Sequence, residues 1–97
     1  AISDVSLKSN ITDANSQLQD IMNVRVRSYT LDSTGETHLG VIAQELEEAG
    51  MGGLVEIDTE DNLKGVKYSV LYMKAIKALQ EAVIRIEALE AAQANTP

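Results

Sequence analysis

Ninety-seven residues allow one small domain and no more. With 44% hydrophobic residues but only three tyrosines and no Phe or Trp, the core must be built from Val, Ile, Leu, Met and Ala, and so short a chain gains burial by oligomerising. The net charge of −7 gathers in Glu45, Glu47, Glu48, Glu56, Asp58, Glu60 and Asp61, with no Lys or Arg from Ala43 to Asn62; such a face repels phosphate backbones and argues against a nucleic-acid partner.

Residues 1–10 show no sustained period and are expected to form an extended or bent arm. Ala14, Leu18, Ile21 and Met22 recur at near-helical spacing, which predicts a short amphipathic helix over Ile11–Met22 with Thr12 or Asp13 as N-cap. Val24–Leu31 is rich in β-branched residues and alternates apolar with basic positions. With the turn Asp32-Ser33-Thr34-Gly35 and a returning strand over Glu36–Ile42 it predicts a hairpin. A short helix over Ala43–Ala49 is expected to stop at Gly50. Leu54–Asp58 and Leu63–Tyr68 flank Thr59-Glu60-Asp61-Asn62 and predict a second hairpin. Ser69 then offers an N-cap, and Val70 to about Gln93, free of Gly and Pro, predicts one long helix.

That helix carries two overlapping seams. Ala75, Leu79, Ala82, Ile86 and Leu89 follow a 4-3-4-3 spacing, as do Tyr72, Ile76, Leu79, Val83 and Ile86. The first part can pack on its own domain. Beyond about Arg85 too little chain precedes it to cover the stripe, so Ile86 and Leu89 are expected to meet copies of themselves, with Leu79 and Val83 completing the oligomerisation face. Heptad spacing over this length does not distinguish dimer, trimer or tetramer.

Cysteine is absent, which excludes disulfides and thiolate metal sites. His38 is the single imidazole, so no multi-histidine site can form and no metal or other cofactor is expected. No apolar run reaches the ~20 residues of a membrane span, so no membrane partner is expected, and the first residues lack a signal-peptide pattern. Asp58-x-Glu60-x-Asn62 has the alternating carboxylates of a calcium loop but lacks its turn glycine and its distal Glu, where Ser69 stands. The pairing with most chemical potential is Ser3 with Lys8: a serine hydroxyl needs a base to become a nucleophile, and a desolvated lysine can be one. Their spacing puts them about 140° apart on a helix and on opposite faces of a strand. They meet only if the arm bends between them, or if they come from different chains; otherwise both are ordinary solvated residues.

Three blocks of sequence resemble one family. Ser3-Asp4-Val5-Ser6-Leu7-Lys8-Ser9-Asn10-Ile11 is similar to the opening motif of endosialidase-type intramolecular chaperone domains, found at the C-termini of phage tail spikes, tail fibres and appendages. Gly40-Val41-Ile42-Ala43-Gln44-Glu45-Leu46-Glu47 resembles their second block, and Tyr68-Ser69 with the helix that follows resembles the third. The resemblance implies an α+β fold of a single domain, residues 1–97: a self-cleavage arm over 1–10, a body over 11–68, and an oligomerisation helix over 69–94 that forms a trimeric coiled coil or bundle. It implies a homotrimer whose partner is the upstream fibre segment of the same polypeptide, made as a virion precursor in the host cytoplasm. It further implies a single-turnover serine peptidase that cuts between Ile2 and Ser3, with Ser3 as nucleophile and Lys8 as general base, and so releases the domain. The alternative expectation is a non-catalytic trimerisation foot that stays attached to its fibre. For His38, orienting Lys8 or polarising the scissile carbonyl stands beside a structural place in a strand.

Overall fold

In the computed structural model, which describes residues 1–95, the chain is α+β. After the arm come helix α1 (Leu18–Met22), a hairpin of β1 (Arg27–Thr30) and β2 (Thr37–Gly40), and helix α2 (Ala43–Glu48). A second hairpin of β3 (Val55–Ile57) and β4 (Lys64–Val66) follows, then helix α3 (Tyr68–Ala94). Both expected hairpins form, as separate two-stranded antiparallel sheets. In the first, Tyr29 pairs with His38 and Ser28 with Leu39. Its turn closes through Gly35, whose φ of 72° suits glycine and whose N–H donates to the Leu31 carbonyl at 2.7 Å. In the second, Val55 pairs with Val66, and Asn62 (φ 60°) supplies the left-handed residue of the turn.

Two-stranded hairpins are marginal alone and need a backing layer. For the second, Leu46, Met51, Leu54 and Leu71 supply it, with Ile21, Val24, Val41, Ala49, Val55 and Val66 packed around them. The end of α2 delivers two of these. Gly50 adopts φ 81°, the Gly50 N–H donates to Glu47 O at 3.1 Å, and the Met51 N–H reaches back to Leu46 O at 2.9 Å. This Schellman closure turns Met51 onto Leu46, so that both are buried. From α2, Glu45 accepts from Arg27 Nε at 2.9 Å and from its terminal nitrogen at 2.6 Å, while Lys64 donates to Glu47 at 2.6 Å. One short helix thereby ties down both hairpins.

Two elements differ from expectation. The first helix begins at Leu18 rather than near Ile11, and residues 11–17 are irregular. Thr12 and Asp13 do not cap it; the Gln17 N–H donates to Glu81 Oε2 of α3 at 2.9 Å, so the start of α1 is set by a residue far along the chain. Likewise α3 begins at Tyr68 with Lys67 as N-cap and no side-chain cap bond, so Ser69 lies inside the helix. At 1.5 Å per residue α3 is about 40 Å long.

The body covers only one side of α3. Leu71 and Ala78 are buried, and Lys74 and Glu81 on the same face hold α1. The chain is consequently open. Its radius of gyration is 18.1 Å, against about 12.5 Å for a compact domain of this length. Its accessible surface is 7927 Å², against about 5,400 Å² for a compact monomer of this mass.

Leu46, 2% exposed, sits with Leu71 of α3 and with Val55 and Val66 of the second hairpin, so Leu46→Ala should cost about 2–5 kcal/mol, read by urea or thermal unfolding. The Arg27 hydrogen bonds hold the Glu45 carboxyl below the usual glutamate value of 4.5, outweighing the opposing effect of burial. This contribution to stability is complete above that value and is lost as pH falls through the lowered one. Glu45→Gln should therefore lower the unfolding midpoint at pH 7 and flatten the part of the acid decline that begins near pH 4.5.

Candidate self-cleavage site

The arm bends between Ser3 and Lys8, and the bend has a local cause. Asp4, with extended φ and ψ, caps a single 3-10 turn over Val5–Leu7. Its Oδ1 accepts from the Ser6 N–H at 2.8 Å and from the Ser6 hydroxyl at 2.6 Å. The Leu7 N–H closes on the Asp4 carbonyl at 3.2 Å and the Lys8 N–H on the Val5 carbonyl at 3.1 Å. These donors, the Ser6 hydroxyl foremost, hold the Asp4 carboxyl below the usual carboxylate range. The turn brings together the residues that flank it: Lys8 Nζ lies 2.5 Å from Ser3 Oγ. Beyond it, Asn10 at φ 53° turns the chain again.

Sequence reasoning left open how residues five apart could meet; one 3-10 turn is enough. Asp4 was not singled out, although an Asp two residues before a Ser is a local signal for such an Asx turn. The carbonyl that Ser3 would attack belongs to Ile2, 84% exposed. Residues 1–16 are all exposed, including the apolar side chains of Val5, Leu7 and Ile11.

His38 sits in the first hairpin, stacked on Tyr29 at 6.3 Å between ring centroids and 4.0 Å from Glu36 Oε2. That is a cross-strand place. The acidic loop of the second hairpin uses its carboxylates on its own backbone, Asp58 accepting from the Glu60 N–H and Asp61 from the Leu63 N–H. Among the described residues no group of His, Asp and Glu could hold a metal ion, and no helix is long and apolar enough to cross a membrane.

The residues expected to mediate oligomerisation are bare in the single chain. Leu79 is 64% exposed, Val83 43%, Ile86 54% and Leu89 66%. With Tyr72 and Ile76, also exposed, Leu79, Val83 and Ile86 form a stripe turned about 140° away from the face of Leu71, Lys74, Ala78 and Glu81. An apolar groove adjoins the stripe, lined by Val26, Leu39, Val41, Tyr68, Tyr72 and Ala75.

No curated protein sequence matches the chain. The model of a peptidase family described as chaperone of endosialidase matches residues 3–56, a span that opens on Ser3, contains Lys8 and ends within the second hairpin. The chain therefore belongs to the chaperone of endosialidase family.

Proposed function

We propose that this domain aligns and trimerises an upstream fibre or spike segment of its own polypeptide, then releases itself by cutting the Ile2–Ser3 bond. The observation that carries the reading is the contact between Lys8 Nζ and Ser3 Oγ across the Asp4-capped turn. With Lys8 neutral, its amine takes the proton from the Ser3 hydroxyl. The oxygen then attacks the Ile2 carbonyl carbon through a five-membered ring. Collapse breaks the C–N bond as the Lys8 ammonium returns its proton to the Ser3 nitrogen, leaving Ile2 as an ester on Ser3 Oγ and a free Ser3 amine. Water hydrolyses that ester, giving the Ile2 carboxylate and restoring the hydroxyl.

A lysine becomes a base when water is withdrawn from around it. In the single chain residues 1–16 are exposed, so the withdrawal must come from other chains. The bare α3 stripe and the large surface excess support an assembly that provides it. Three copies joined along α3 would cover the apolar arm, desolvate Lys8 and aim backbone donors at the Ile2 carbonyl. Cutting would then follow assembly, in a precursor made in the host cytoplasm and destined for a virion tail fibre or spike.

A precursor extended upstream of Ala1 should give two bands on a denaturing gel. Ser3→Ala and Lys8→Arg should each give one band while sedimentation still reports trimers, since arginine keeps the charge but cannot serve as a base. Complete cutting by Lys8→Arg would sink the dyad; a parent that trimerises uncut would leave the non-catalytic foot. The turn has its own test. Asp4→Ala should slow cutting by about 10- to 100-fold through loss of alignment. Asp4→Asn, whose amide oxygen still accepts from Ser6, should keep most of the rate.

A further inference from the structure

The arm is rooted on α3 by a polar clamp. Glu81 Oε2 accepts from the Gln17 N–H at 2.9 Å. The Ser16 hydroxyl and then the Gln17 and Leu18 N–H groups hold this carboxyl below the usual glutamate range. Two helical turns earlier, Lys74 donates to Gln17 Oε1 at 2.6 Å and to Asp20 Oδ2 at 2.9 Å. Gln17 is thus gripped at its backbone and at its side chain. Ala78, 3% exposed, lies between the two on the same face. Upstream of this point every residue of the arm is exposed, so the clamp is the polar anchorage of the arm on α3.

Helix α3 therefore bears two different things on two faces: the root of the arm, and the bare stripe of Tyr72, Ile76, Leu79, Val83 and Ile86. A helix is stiff around its axis, so fixing one face fixes the other. We propose that Glu81 and Lys74 are positioning residues for self-cleavage, holding the root of the arm in register with the assembly face of α3. This rests on the reading that Ser3 cuts the bond before it inside an assembled trimer. Neither side chain touches the reacting atoms. Their role is to let the packing of α3 with its copies decide where Ser3 and Lys8 come to lie. The span from Lys8 to the clamp is short, at most about 30 Å when extended. Releasing the clamp lets the dyad wander over a larger volume and lowers the fraction of time it spends in the desolvating position.

The test follows cutting of the extended precursor as a first-order process in trimers isolated by size exclusion, well below their unfolding midpoint. Glu81→Ala and Lys74→Met should cut about 10- to 100-fold more slowly than the parent. Lys74→Asp and Asp20→Lys should each be slow, and the two together should recover most of the parent rate, because the swap restores the ion pair. A nitroxide on Thr12→Cys, clean because the chain has no cysteine, should gain a mobile component in Glu81→Ala trimers. If Glu81→Ala does not assemble, Glu81→Gln serves instead, with an intermediate rate expected from its neutral acceptor. Clamp variants that assemble and cut at the parent rate would overturn the inference and leave the self-cleavage reading intact. A parent that never cuts would overturn both, and that result is visible before any clamp variant is made.

Discussion

Ala78 presents only a methyl group on the face of α3 that Lys74 and Glu81 flank, and it is almost wholly buried there. So small a side chain leaves room for a close approach of α1, which packs on α3. A larger side chain would lift α1 away and carry Gln17 and Asp20 out of reach of their partners. With α1 seated, Ile21 and Val24 reach the cluster of Leu46, Met51, Leu54 and Leu71, on which Val55 and Val66 of the second hairpin also pack. The small body thus depends on how closely one short helix approaches one long one.

The same arrangement explains why so much surface is left uncovered. A body of this length covers one face along the first turns of α3, and the rest of the helix runs on bare. On the function proposed above, the hydrophobic stripe would be a means of joining chains rather than a fault in packing. The arm shares the incompleteness. It is folded tightly enough for Lys8 to touch Ser3, yet it lacks the dry surroundings that base catalysis by an amine demands.

What could be read from the sequence was what is local. Gly35, Gly50 and Asn62 mark the places where the backbone takes a left-handed turn, and both hairpins and the end of α2 follow from them. The periodicity of α3 and the unpartnered stripe were legible for the same reason. The extent of α1 was not, because its first N–H is capped by Glu81, and nothing near Gln17 in sequence announces that. At the site, Ser3 and Lys8 stood out through the family's motif rather than through their spacing. The Asp4–Ser6 turn that joins them was a local signal available to be read.

The clamp and the stripe on α3 also differ in physical kind. The clamp joins hydrogen bonds on Gln17 to one ion pair, Lys74–Asp20, in which Asp20 is about half exposed, and an attraction of that sort fades with screening over roughly 8–10 Å at ordinary ionic strength. The stripe is hydrocarbon, and excluded salts such as sulfate strengthen its burial. Ionic strength therefore pulls in opposite directions on the two faces of one helix: concentrated sulfate favours burial of the stripe while weakening the Lys74–Asp20 pair, and dilute buffer does the reverse. Burial of the stripe and the grip on Gln17 thus answer to opposite salts, one on each side of α3.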